Sequence, residues 1–113
     1  MLSEACINMM EEIEMGIKIY ISGAITGTED YLERFGAAEE ELKKAGCSVI
    51  NPAKINSLLP ADTTYKQYMD MSITMLGMCN HIYMLRGWEK SLGSNREYGY
   101  ALAKEMTIWH EEN

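Results

Sequence analysis

Residues 18–50, KIYISGAITGTEDYLERFGAAEEELKKAGCSVI, decide the fold. The opening Lys-Ile-Tyr-Ile-Ser is short, rich in Ile and Tyr and stopped by Gly23, which predicts a strand buried in a sheet. A Gly-containing loop, residues 23–28, follows. From 29 to 45 the apolar positions Leu32, Phe35, Ala38, Leu42 and Ala45 recur at helical spacing. Acids crowd toward the start of this segment, Lys43 and Lys44 close it, and Gly46 is placed to cap it. Residues 47–50 predict a second short strand, ended by Asn51-Pro52. Strand, helix and strand in this order form one crossover unit of a parallel sheet.

Downstream the pattern repeats. After a loop carrying Pro60, Asp62 or Thr63 is expected to open a second helix, on which Tyr65, Tyr68, Met69, Ser72, Ile73 and Leu76 share one stripe. Met71, Met75 and Met78 add apolar surface beside it, more than one small sheet would cover. A subunit interface and a thick core contact both explain that excess. Residues 81–85 predict a third strand, 86–93 a turn-rich loop, 94–106 a third helix and 107–110 a last strand. This alternation implies an α/β, three-layer Rossmann/flavodoxin-like fold with a small parallel sheet flanked by helices. The expected division is a lead-in over residues 1–15 and a single domain over 16–113. Such sheets bind ligands beyond the carboxyl ends of their strands, so the loops 23–28 and 86–93 are where chemistry is expected.

Composition narrows the function. A chain of 113 residues, 47% of them hydrophobic, supports one core and one site. A formal charge of −7, from 10 Lys+Arg and 17 Asp+Glu, argues against binding duplex nucleic acid or an acidic membrane surface, which need clustered cations. Glu4, Glu11, Glu12 and Glu14 place four of those negative charges in the lead-in. No run approaches the ~20 apolar residues of a membrane span, and the N-terminus lacks the pattern of a signal peptide, so a cytoplasmic location is expected. Cys6, Cys47 and Cys79 are odd in number and widely spaced, which suits neither a disulfide framework nor a zinc site. His81 and His110 lie far apart without ligand spacing, and neither a metal nor a cofactor is expected.

Among the acids, Glu97 is the most informative. It falls in the first turn of the third predicted helix, where the helix dipole favours the anion and where ligands bind such sheets. An ionised carboxylate there would suit a nucleophile or electrostatic stabiliser. The sequence Ser94-Asn-Arg-Glu97 also has the form of a capping box, in which Glu97 satisfies a backbone N–H. Both roles are open on spacing. Backbone N–H groups of residues 22–27 could cradle a phosphate, although a tight strand-to-helix turn explains Gly23 and Gly27 equally well. Tyr20 reads as a buried strand aromatic. Trp88 could stack on a base or cover its loop, and Asp70, one turn after Lys66, reads as half of an exposed ion pair.

In order and spacing, five segments resemble the nucleoside 2-deoxyribosyltransferase superfamily, and its short bacterial and phage branch in particular. They are Ile19-Tyr-Ile-Ser-Gly-Ala-Ile-Thr-Gly27, Asn51-Pro52, Cys79-Asn-His-Ile-Tyr-Met-Leu85, Gly87-Trp-Glu-Lys-Ser-Leu-Gly93 and Glu97-Tyr-Gly-Tyr-Ala101. The resemblance implies that Glu97 attacks the anomeric carbon of a nucleoside or nucleotide and that Tyr20 orients it. It also implies that Ser91 contacts a 5′-phosphate, with Ser22, Gly23, Ala24, Ile25, Gly27, Trp88 and Gly93 completing a substrate site. The partner implied is a small-molecule nucleoside or nucleotide, and a homodimer or higher homo-oligomer is expected. Three positions depart from the pattern: Ser72 where many relatives carry an acid, Ala24 in place of a serine, and Asn80 in place of an aspartate. The missing acid keeps a second expectation alive, a protein that binds or sequesters a nucleotide or nucleotide-derived signal without turnover.

Overall fold

A computed structural model describes residues 16–112, and the expected lead-in lies outside the described residues. The chain alternates as expected: β1 (Lys18–Ser22), α1 (Tyr31–Lys44), β2 (Ser48–Ile50), α2 (Pro52–Asn56), α3 (Tyr65–Leu76), β3 (His81–Met84), a 3-10 turn (Trp88–Lys90), α4 (Leu92–Ala103) and β4 (Thr107–His110). The strands lie in the order β2-β1-β3-β4, and every neighbouring pair is parallel. Register follows the alternation of side chains across a strand. Tyr20 pairs with Ile82, and these two, with Met84, pack against Leu76 of α3 and Ala101 of α4. Ile21 turns to the opposite face, where it joins Phe35 and Ala38 of α1, Ala53 of α2 and Leu85. The result is the expected three layers.

Local chemistry explains where each element begins and ends. Gly46, at φ +95°, gives its N–H to Lys43, and the Cys47 N–H reaches back to Leu42, a Schellman closure that stops α1. Two boundaries correct the sequence reading. The loop after β2 holds α2, started by Asn51, whose side chain accepts from the Lys54 N–H, with Pro52 in the first helical position. Helix α3 starts at Tyr65 rather than near Asp62 or Thr63, because Thr64 and Gln67 form a reciprocal capping box. The Lys66–Asp70 ion pair forms as expected, at 2.6 Å and exposed.

The order β2-β1-β3-β4 sends the chain one way after β1 and the other way after β3. The crevice between the carboxyl ends of those two central strands is therefore the topological switch point. Gly23 seals its floor: a Cβ there would lie 2.8 Å from Leu85 Cδ1, and Leu85 is fully buried. Gly23→Ala is expected to cost about 1–3 kcal/mol by overpacking and to lower the Tm by roughly 5 °C or more. Thermal unfolding followed by circular dichroism checks this, and an unchanged Tm would show that Leu85 moves aside freely.

Candidate active site

Two elements converge at the switch point. Strand β1 ends there with Tyr20 and Ser22 on the face toward α3 and α4, and α4 starts there. The helix begins at Leu92, two residues earlier than the sequence suggested, because Ser91 is its N-cap and its Oγ accepts from the Ser94 N–H at 3.2 Å. Ser94 therefore caps nothing, and the Ser94–Glu97 capping box does not form. The shift places Glu97 in the second helical turn, on the inward face with Ser94 and Ala101.

With no cap to make, the Glu97 carboxylate crosses to the sheet. Tyr20 Oη donates to Oε2, and Ser22 Oγ donates to Oε1 at 2.7 Å. All three residues are buried. Ser72 is buried on the inward face of α3. Two hydroxyls of β1 thus end on the one carboxylate of α4.

The electrostatics overturn the expectation of a dipole-stabilised anion. Burial pushes the Glu97 pKa up from its ordinary 4.5 to about 7, while the bonds from Tyr20 and Ser22 pull it down. Dipole stabilisation falls off beyond the first turn, so it offers little against desolvation at this depth. Burial and the neighbouring carboxylate raise the Tyr20 pKa well above its ordinary value, so the phenol keeps its proton. A carboxyl group titrating near neutrality and held by fixed donors is suited to acid–base or nucleophilic work.

Other expected site residues are drawn in to different degrees. Ser22 holds Glu97, and Ser91 holds the start of α4. The Ala24 carbonyl accepts from Arg34 Nη2 at 2.9 Å, a tie from α1 that the sequence reading did not single out. Ile25 packs against the α1-side core, and Gly27 takes φ +81° in an exposed turn. Gly93 permits close helix packing, since a Cβ there would lie 3.2 Å from Met69 Sδ on α3. Trp88 packs on Tyr98 with ring centroids 4.6 Å apart, covering the edge of the α4-side core. Ser94 is an unexpected member: its Oγ is buried one turn before Glu97 without a hydrogen-bond partner. Away from the site, His81 is buried and its Nδ1 accepts from Trp109 Nε1 at 2.8 Å. Among the described residues no group of three or more His, Cys, Asp or Glu could hold a metal ion, and no helix is long and apolar enough to cross a membrane.

A family model described as a domain of unknown function, DUF4406, matches residues 17–110, nearly the whole described chain. The chain belongs to the DUF4406 family. No curated protein matches it in sequence. Among solved structures, the DUF4406 chain is similar to a 2-deoxyribosyltransferase from the psychrotolerant bacterium Bacillus psychrosaccharolyticus, described as a biocatalyst for the synthesis of antiviral and antitumoral nucleosides. The TM-score is 0.68 at 14% identity, and the match covers 82% of this chain and 70% of that one. The DUF4406 chain thus shares the deoxyribosyltransferase fold, the one its five sequence segments suggested.

Proposed function

We propose that this DUF4406 protein cleaves or transfers the N-glycosidic bond of a nucleoside 5′-monophosphate, with Glu97 as nucleophile. The observation that carries the reading is the buried Glu97 carboxylate, fixed by Tyr20 and Ser22 at the switch point of the sheet. In its ionised form Glu97 attacks the anomeric carbon, the bond to the base breaks, and the sugar is left as an ester on the carboxylate. The base leaves with the bonding electron pair and takes its proton from solvent water, and water or a second base then attacks the anomeric carbon and releases the sugar, freeing the Glu97 carboxylate. Tyr20 and Ser22 hold both carboxylate oxygens, which removes the orientational freedom that attack would otherwise have to overcome. Ser91, Gly93 and the backbone of loop 23–28 stand at the same sheet edge and are proposed to receive the phosphate, with Trp88 near the base. Incubation with a panel of ribo- and deoxyribonucleosides and their 5′-monophosphates, with chromatography for free base, tests the proposal. Release confined to the unphosphorylated nucleosides would overturn the nucleotide preference, and no release from any compound would overturn the enzyme reading.

One observation favours a second reading. The side chains bonded to Glu97 are hydroxyls, and Ser72 stands where the sequence resemblance implies an acid, so these residues supply no second carboxyl to protonate the departing base. On that reading the site binds a nucleotide without turnover, and calorimetry with the same panel would give saturable binding of ligand that is recovered intact.

We also propose a homodimer. Met71 and Met78 remain 37% and 62% exposed on and just after α3, as the excess of apolar surface in the sequence suggested. Sedimentation velocity at micromolar concentration is expected to give twice the chain mass, and a monomer would end the idea.

A further inference from the structure

We propose that Ser94 reads the sugar: its buried hydroxyl pairs with the 2′-hydroxyl of a ribosyl group bound at Glu97, so that the site takes ribonucleoside 5′-monophosphates in preference to their 2′-deoxy counterparts. This inference rests on the reading of Glu97 as the reactive group and names the substrate class of that same site. Ser94 is 1% exposed, and its Oγ has no hydrogen-bond partner among the described residues. Such a group is uncommon, because burying a hydroxyl without a partner is unfavourable. A helical serine ordinarily escapes this by turning its hydroxyl back to a carbonyl one turn earlier. Here that route is closed. The Ser91 carbonyl already accepts from the Asn95 N–H at 3.0 Å and from Asn95 Nδ2 at 2.8 Å, which fills both of its lone pairs. The Lys90 carbonyl precedes the Ser91 cap and lies outside the helix. Ser91 Oγ accepts from the Ser94 N–H rather than from its hydroxyl.

The place of Ser94 decides what can reach it. Ser94, Glu97 and Ala101 form the buried row of α4. Ala101 packs in the core with Tyr20 and Ile82, and Glu97 is bonded to Tyr20 and to Ser22, the last residue of β1. One turn closer to the start of α4, about 4.5 Å along its axis, the row has passed the end of that strand. Ser94 therefore stands over the crevice, beside the path by which a sugar approaches the Glu97 carboxylate. The reacting carbon of a glycosyl group has two ring neighbours. One is the ring oxygen, which only accepts and loses electron density as the bond to the base breaks. The other carries the 2′-hydroxyl, which donates and accepts as the serine hydroxyl does. No other hydroxyl of the sugar lies so close to the reacting carbon. Hydrogen bonds to it strengthen in the transition state of glycoside cleavage. A site that keeps a buried polar group for a substrate hydroxyl also rejects the analogue lacking it, because the group is then left unpaired.

The test compares a ribonucleoside 5′-monophosphate with the 2′-deoxy compound carrying the same base, by calorimetric Kd on the full chain and, where base is released, by kcat/KM. Wild type is expected to favour the ribo form by roughly tenfold to a hundredfold, and Ser94→Ala to bring that ratio near one. Ser94→Cys, of similar size but a weaker donor, is expected to fall between them. A wild-type ratio at or below one overturns the proposal, as does a preference that survives Ser94→Ala. Thermal unfolding of the unliganded chain supplies a second readout. Because the Ser94 hydroxyl has no partner within the fold, its removal is expected to leave the Tm unchanged or raised, and a Tm lowered by roughly 5 °C or more would show the hydroxyl already used inside the fold and overturn the proposal equally. Equal binding of the two sugars overturns the role of Ser94 alone. Failure of every nucleotide and nucleoside to bind removes the reading of the site, and this inference with it.

Discussion

Glu97→Gln is expected to reduce base release by on the order of 10⁴-fold or more while leaving the chain folded. The substitution keeps the shape of the side chain and one oxygen able to accept from Ser22 or Tyr20, but a neutral amide does not form the glycosyl ester. Alanine is a harsher probe. It would leave the Tyr20 and Ser22 hydroxyls buried without their acceptor, which costs about 1–3 kcal/mol per unsatisfied group, so activity and folding would change together. The glutamine variant separates them: calorimetry is expected to show retained nucleotide binding, and chromatography the loss of free base. Peptide mass mapping of wild type quenched during turnover is expected to find the sugar on the Glu97 peptide. Equal base release by wild type and Glu97→Gln would remove Glu97 from the chemistry, and with it the proposed mechanism.

The fold was legible because its signals are local and redundant. Ile19 to Ser22, the helical stripe from Leu32 to Leu42 and the run His81 to Met84 each specify an element without help from distant residues, and their order dictates a parallel sheet. The boundaries that were missed turn on capping chemistry rather than periodicity. Asn51-Pro52 and Thr64 with Gln67 are start signals that sequence does contain. For α4 the two candidate caps, Ser91 and Ser94, stand three residues apart, and only tertiary packing chooses between them. That choice decides the site. With Ser94 as cap, Glu97 would spend its carboxylate on the helix start; with Ser91 as cap, it is free to reach β1. The alignment of Tyr20 and Ser22 under Glu97 spans more than seventy residues of sequence and is set by the β1–β3 register, which no local pattern encodes. The upward shift of the Glu97 pKa was illegible for the same reason, since burial is a property of the assembled layers.

That shift makes the folded chain less stable as pH rises, opposite to the usual behaviour of a paired carboxylate. Glu97 titrates at its ordinary 4.5 when unfolded and at about 7 when folded. Between these values the folded chain holds a proton that the unfolded chain has released, so raising the pH draws the equilibrium toward unfolding. The stability linked to Glu97 is fully present below about pH 4.5, declines through the interval and is gone above about pH 7, a total on the order of 3 kcal/mol. Glu39 works in the other direction. Hydrogen bonds from Lys43 and Asn51 hold its pKa below 4.5, so its contribution is present above that pH and is lost only as the pH falls below it. Urea unfolding at pH 5, 6, 7 and 8 is therefore expected to give a falling midpoint for wild type and a flatter series for Glu97→Gln, the two lines converging toward acid pH. Parallel lines would mean that Glu97 is not held as a buried acid. A converging pair would mean that ionising Glu97 carries a stability cost, which a ligand binding only to the ionised form must offset from its own contacts.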